Sequence, residues 1–158
     1  MDAFAGSMVA RGPTLGPDRE TPTGSLHVVD LPSAEAAREF VAREPNNRAG
    51  VYGEHLVCGF ENLLGRTMWE FSAKADEPMF LLIALAEESG HPALERLPAA
   101  LRQRLILYGA LATLDAGPGG VALVVRARDP RAARALAAGA LDDASGLEVH
   151  DWEFGGRR

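Results

Sequence analysis

Leu26-His27-Val28-Val29-Asp30, then Pro32-Ser33, then Ala36-Ala37-Arg38-Glu39-Phe40-Val41 stand in a row near the start of the chain. Near its end Ala122-Leu123-Val124-Val125-Arg126 is followed by Asp129-Pro130 and Ala132-Ala133-Arg134-Ala135-Leu136. Each row reads as a β-type run, a helix start and a helical pattern. Ser33 and Asp129 suit the N-cap, where a short side-chain oxygen accepts a first-turn N–H, and Pro130 suits the first turn itself. The spacing is constant: Gly24 to Gly120, Ala36 to Ala132 and Gly50 to Gly146 are each 96 residues apart. Over residues 24–50, eight positions are identical at that offset: Gly24, Val28, Val29, Ala36, Ala37, Arg38, Ala42 and Gly50. The match is ungapped and joins like elements, which reads as an internal duplication. The competing account is two unrelated β–α units in an alanine-rich chain.

Working outward, the second copy reads as complete. Residues 80–85 form a short continuous apolar run, a buried strand. Leu97, Leu101, Leu105 and Tyr108 share one helical face, which predicts a helix over 94–108 ended by Gly109. A short extended piece at 111–114 and a turn at Gly117-Pro118-Gly119-Gly120 lead into a strand at 121–125. After the helix at Asp129, residues 147–154 alternate as a half-buried strand. The order β-α-β-β-α-β is the ferredoxin-like, or split βαβ, arrangement, with helices on one face of an antiparallel sheet.

The first copy is shorter. At the same offset its opening strand would precede Met1, so residues 1–10, with Phe4 and Met8 one turn apart, are expected to be the end of its first helix. The sheet then has an open edge unless another segment or chain covers it. The polar stretch 72–78, ending in Pro78, reads as a linker. The fold class is therefore α+β, with two ferredoxin-like units at 1–71 and 79–158 and the first lacking its N-terminal strand.

Composition narrows the function. A chain of 158 residues is long enough to bury a core without disulfide or metal. Sixteen basic residues against 22 acidic ones give a net charge of −6, the wrong sign for a nucleic-acid groove. The single cysteine, Cys58, excludes an internal disulfide and suits a reducing compartment, so a cytoplasmic location is expected. No apolar run approaches the roughly 20 residues of a membrane span, and the start lacks the pattern of a signal peptide. The four histidines have no metal-ligand spacing, and no G-x-G-x-x-G, P-loop or G-x-S-x-G motif is present. Neither a metal nor a cofactor is expected.

Several side chains are candidates for chemistry, each with a plainer alternative. Gly12-Pro13 can bring backbone N–H groups to a ligand, or can stop a helix and turn the chain. Asp18, in the loop 16–24, is a candidate general base if partly buried, and a solvated loop carboxylate otherwise. Ser25 and His27 are two residues apart on a strand and so share a face. Without an oriented acid, the pair is only a weak sign of a nucleophile. Asn46, Asn47 and Arg48 follow Pro45 at a helix end, where amides and a guanidinium suit a carboxylate or phosphate, though Asn also terminates helices. Tyr52 can hydrogen-bond a ligand or pack on the sheet. Cys58, in a strand expected at 54–60, reads as core. His150 and Asp151 are neighbours on a strand and point to opposite faces.

Arg11-Gly12-Pro13-Thr14-Leu15, Thr23-Gly24-Ser25-Leu26-His27-Val28-Val29-Asp30 and Glu44-Pro45-Asn46-Asn47-Arg48-Ala49-Gly50-Val51-Tyr52 form a series that resembles the YCII-like (YciI-like) family. There a helix ends in Gly-Pro, Gly-Ser opens a strand, and a helix runs into a D/E-P-x-x-x-A-G-x-Y segment. The resemblance covers residues 1–71. Residues 79–154 look like a diverged copy in which Ala110 stands near the Pro13 position, Val121 replaces Ser25 and Glu148 replaces Tyr52. The resemblance implies the dimeric α+β barrel fold, which a fused pair could make within one chain. It also implies a His and an Asp in the cleft between helix and sheet. Asp18 is the nearest match to that aspartate. The histidine position falls before Met1, and 94–108 contains no histidine.

Two functions follow. In the first, the protein binds a small organic molecule, anionic or aromatic, and moves a proton without a cofactor, in an isomerisation or elimination. Asp18 and His27 would transfer the proton; Arg11, Gly12, Pro13 and Ser25, with Asn46, Arg48 and Tyr52, would hold the substrate. In the second, it is a non-catalytic module that dimerises through its sheets and regulates a neighbouring enzyme. Either way the expected partners are a small molecule and a second copy of the chain, not nucleic acid or membrane.

Overall fold

The strand Met8–Leu15 (β1) buries Met8, Ala10, Gly12 and Thr14 and leaves Val9, Arg11 and Pro13 half-buried, a period of two. It opens the chain's sheet after a turn of 3-10 helix at Asp2–Ser7. The computed structural model describes residues 2–71, 77–86, 93–114, 119–138, 141 and 146–156. After β1 come β2 (Pro22–Val29), α1 (Ala34–Arg43), α2 (Pro45–Arg48) and β3 (Cys58–Asn62). Then follow β4 (Met79–Ala86), α3 (Ala99–Arg102), β5 (Leu105–Thr113), β6 (Gly119–Arg126), α4 (Pro130–Ala138) and β7 (Glu148–Trp152). The strands form one curled antiparallel sheet in the order β2-β1-β7-β4-β6-β5-β3. The fold is thus mixed α+β, as expected.

The two faces of the sheet carry separate cores. On one, Phe80, Leu82, Tyr108, Val121 and Leu123 pack with Leu97 and Leu101 and with Ala133 and Ala137 of α4. On the other, Ala10, Leu81, Ile106, Leu107, Val124 and Trp152 pack around Met68, which lies on a 3-10 turn at Met68–Glu70. Because both faces of β4 and β6 are covered, these strands read as unbroken apolar runs. Both predicted helix caps form: Ser33 Oγ accepts the Ala36 N–H at 3.1 Å, and Asp129 Oδ1 accepts the Ala132 N–H at 2.7 Å.

The second half follows the β-α-β-β-α-β order, its strands lying as β7-β4-β6-β5. Two helices expected from the sequence are not there. Residues 94–108 hold a 3-10 turn at Leu94–Arg96 and the single turn α3, and Leu105 already begins β5. Residues 1–10 hold the 3-10 turn and the start of β1, so Gly12-Pro13 lies within a strand and does not end a helix. In both places the misleading signal was a spacing of four. Four is an even number, so residues that stack on a helix also share a face of a strand. β3 starts at Cys58, later than expected, and β7 is confined to 148–152. The linker residues 72–76, residues 117 and 118 of the expected turn, and His91 lie outside the described residues.

The two hairpins share irregular details. The β1–β2 ladder slips between Met8 and Ala10, opposite Val29 and Val28; the β5–β6 ladder slips between Leu105 and Leu107, opposite Val125 and Val124. Asp30 N–H donates to Ser7 C=O at 2.7 Å, and Arg126 N–H donates to Arg104 C=O at 3.0 Å. Outside the hairpins, Gly155 N–H reaches Arg11 C=O at 2.9 Å and Leu63 N–H reaches Tyr108 C=O at 3.0 Å. Gly12 and Gly109 are both closely approached. A Cβ on Gly12 would stand 1.8 Å from the Glu153 carbonyl oxygen, and one on Gly109 would stand 2.2 Å from the Phe60 ring. The hairpins differ in what lies beside them. β6 is paired by β4 from Met79↔Arg126 to Ala86↔Gly119, whereas β2 ends the sheet.

Candidate functional site

Arg11 on β1 pairs in register with His27 on β2, and Pro13 pairs with Ser25. Alternation puts Ser25 and His27 on one face, where Ser25 Oγ and His27 Nδ1 are 3.4 Å apart. This face lies toward α1. Phe40, the buried residue of that helix, meets the His27 ring edge-on at a centroid distance of 5.8 Å, and Phe4 meets Phe40 at 5.1 Å. Glu44, just past α1, is only 7% exposed. Its carboxylate accepts the Asn47 N–H at 2.7 Å and so caps α2.

The imidazole of His27 is held below its usual range, first by burial and also by the positive charge of Arg11; the charge of Glu44 opposes both. His27 is therefore a neutral ring at neutral pH, able to accept a proton. Asp18 is in the opposite condition. It is exposed in the turn past the Leu15–Pro22 pair, and it accepts the N–H groups of Glu20 and Thr21 and the Thr21 hydroxyl. The Thr21 hydroxyl and these N–H groups bring its carboxyl down to about 2, which makes it a weak base at neutral pH.

The other expected residues fall into distinct places. Gly12 is buried, and its C=O accepts the Trp152 indole N–H at 3.2 Å. Pro13 has no N–H, and its C=O accepts from Glu153 N–H at 3.3 Å. Gly12-Pro13 was expected to present N–H groups to a ligand; Pro13 has none, and the carbonyls of both residues accept from Trp152 and Glu153. Arg11 Nε donates to Gly155 C=O at 2.8 Å. Asn46 Nδ2 donates to the Tyr52 hydroxyl at 3.3 Å, and Tyr52 meets His55 edge-on, so these residues form a group of their own after α1. Asn47 caps α1 through Val41 C=O at 2.8 Å, and Arg48 is exposed in the last turn of α2.

The structure thus assembles Arg11, Ser25 and His27 and adds Phe40 and Glu44, which sequence reasoning missed. Phe40 belonged to a recognised helix whose buried side was not known. Glu44 preceded Pro45 in a quoted motif, but Glu is not a usual N-cap residue.

The same positions in the other hairpin hold a tyrosine and two aliphatic side chains. There Tyr108 pairs with Leu123 and Ala110 with Val121, and Tyr108, Val121 and Leu123 are 3% exposed or less. Half-buried Cys58 has its thiol pushed up by burial and is no activated nucleophile. Among the described residues no cluster of three or more His, Cys, Asp or Glu could hold a metal, and no helix is long and apolar enough to cross a membrane.

Compared with known families, residues 3–61 match the YCII-related domain, the family that the sequence motifs resemble. The comparison with curated proteins gave no match, and neither did the comparison with solved structures.

Proposed function

We propose that the YCII-related domain at residues 3–61 binds a small organic anion between α1 and the β1–β2 hairpin, with His27 accepting a proton from it. We read the whole chain as two copies of one split βαβ module, 1–71 and 79–158 joined by 72–78, related as the halves of a dimeric α+β barrel. The shared ladder slips and the paired approaches at Gly12 and Gly109 support that reading. One observation carries the functional part. Arg11, Ser25 and His27 occupy the ladder positions that the second hairpin fills with Tyr108, Val121 and Leu123. A buried imidazole costs stability unless it serves an interaction, and the second hairpin carries Leu123 at the place of His27. Arg11 supplies positive charge, Ser25 a hydroxyl, and His27 a neutral ring nitrogen, which together suit a carboxylate-bearing molecule and cofactor-free proton transfer.

The test is an NMR titration of the His27 ring with benzoate and pyruvate. Saturable shifts are expected at His27 and Ser25, with the His27 pKa rising as the anion binds, and their loss in His27→Leu. A folded protein whose His27 signal ignores both compounds refutes the reading. A second reading, a non-catalytic interaction module, is favoured by the open edge of β2.

A further inference from the structure

Arg11 is held, by its main chain and by its side chain, against the residues that follow β7. The register that sets Thr14 against Trp152 and Leu15 against Asp151 runs on past Trp152 and sets Arg11 against Gly155. Gly155 N–H donates to Arg11 C=O at 2.9 Å, and Arg11 Nε donates back to Gly155 C=O at 2.8 Å. His27, on β2, is the neighbour of Arg11 on its other side. Residues directly opposite one another in a ladder share a face, so His27, Arg11 and Gly155 stand in a row across the sheet.

The two glycines make room for this arrangement. A Cβ on Gly156, whose φ is +63°, would stand 2.6 Å from Arg11 Nη2 and 3.2 Å from its Cζ, so the guanidinium lies directly against that residue. A Cβ on Gly155 would stand 2.7 Å from Gly12 Cα. The other hairpin fills the same places differently. Leu63 N–H reaches Tyr108 C=O at 3.0 Å, as Gly155 N–H reaches Arg11 C=O, so Leu63 and Leu64 stand where Gly155 and Gly156 stand. Both leucines pack on the core that contains Tyr108. Three positions thus differ together: Tyr108 goes with Leu63 and Leu64, and Arg11 goes with Gly155 and Gly156. Two glycines cost backbone entropy and forgo that packing. What they admit is an arginine whose planar fork is fixed at Nε.

We propose that Gly155 and Gly156 are positioning residues for the anion site, holding the Arg11 guanidinium in the orientation that meets a carboxylate beside His27; this role rests on the carboxylate-binding reading given above. A long side chain that is already held loses little freedom when the anion arrives, so the hold raises affinity without touching the ligand. It also makes the site of residues 3–61 depend on main chain outside the YCII-related match.

Gly156→Ala is the perturbation, because its methyl meets the tip of a flexible side chain and the guanidinium can swing aside at little cost to the fold. Gly65→Ala is the matched control: Gly65 has a φ of +64°, and a Cβ there meets nothing within 4 Å. Without ligand, the Arg11 Nε–H signal in nitrogen-resolved NMR should exchange slowly with water in the parent and in Gly65→Ala, and about tenfold faster in Gly156→Ala. The Kd of the bound carboxylate, benzoate or pyruvate, should rise about tenfold in Gly156→Ala and stay within about twofold in Gly65→Ala. In Arg11→Lys, which keeps the charge but has neither Nε nor fork, Gly156→Ala should add nothing, as a role exercised through the guanidinium requires. Equal carboxylate affinity in Gly156→Ala and the parent overturns the proposal. So does an undiminished effect of Gly156→Ala in the Arg11→Lys background, which would make the loss structural. A parent that binds the carboxylate with its Arg11 Nε–H unprotected refutes this role alone. A parent with that N–H protected, in which benzoate and pyruvate leave His27 unmoved, refutes the carboxylate reading and the role with it.

Discussion

Gly12→Ala should unfold the junction between β1 and the residues after β7, and its cost can be worked from contacts. The new Cβ would lie 1.8 Å from the Glu153 carbonyl oxygen and 2.8 Å from the Trp152 ring. Neither neighbour is a flexible side-chain end, so the two backbones must separate by about 1.5 Å to restore van der Waals contact. Three hydrogen bonds cross that junction: Gly155 N–H to Arg11 C=O, Glu153 N–H to Pro13 C=O, and Trp152 indole N–H to Gly12 C=O. At about 1 kcal/mol each, their loss costs about 3 kcal/mol, within the usual range for overpacking. The reduced freedom of the unfolded chain returns about 0.4–1 kcal/mol, leaving a net loss of about 2–3 kcal/mol. For a chain of this size that lowers Tm by about 4–12 °C. Thermal unfolding followed by circular dichroism reads this directly, with Gly53→Ala as control because a Cβ there meets nothing within 4 Å. Gly109→Ala, facing the Phe60 ring at 2.2 Å and the Glu61 carbonyl at 2.4 Å, should behave alike. A Gly12→Ala protein melting within about 1 °C of the parent would refute the reasoning, and a neutral Gly109→Ala would break the equivalence of the two junctions.

His27 binds its proton more weakly folded than unfolded, so its contribution to stability is complete above its ordinary value of 6.5 and is lost as pH falls below it. Denaturant unfolding across that range should show a slope of up to about 1.4 kcal/mol per pH unit from this group, and His27→Leu should flatten it; an unchanged slope removes His27 as the source. For Asp18, held to about 2 by its own turn, a carbon-detected titration should place the carboxyl midpoint near 2, and Asp18→Asn should leave carboxylate shifts at His27 unaltered; a midpoint near 4, or loss of those shifts, contradicts the geometry described for it.

The elements legible in the sequence were those with two concordant signals. α1 and α4 had a cap and a helical period, and both caps form. β4 was a short apolar run, and it spans Met79–Ala86. β1 and β5 carried one signal that two structures share. Leu101 and Leu105, like Phe4 and Met8, are four apart, and Leu105 to Tyr108 are all buried, so no alternation marked the strand. Which side of a strand is covered is a tertiary fact, and it decided the site in the same way. Ser25 and His27 were recognisable as sharing a face, but Phe40 and Glu44 join them only because α1 lies over that face. Asp18 read as either a candidate base or a solvated carboxylate in the loop 16–24, and the turn is organised around its exposed carboxylate.

The two hairpins separate what this backbone requires from what it merely tolerates. Both keep the ladder slip, the closely approached glycine and the hydrogen bond that ties the strand end to the residue before the slip. These are main-chain features, and they set where a side chain points without setting what it is. At the positions they set on that face of the sheet, one hairpin places Tyr108, Val121 and Leu123, all buried, and the other places half-buried Arg11 and His27 and exposed Ser25. Burying a Leu instead of leaving it exposed stabilises by about 1.5–3 kcal/mol, whereas burying an imidazole depresses its basicity at a cost in stability below neutral pH. Since the same geometry accepts Val121 and Leu123, folding does not demand Ser25 and His27 in their places. The half-covered state of that face has the same origin: α4 lies over a sheet that β4 completes, while α1 lies over one that stops at β2. The polar positions and the open edge of β2 therefore adjoin one another.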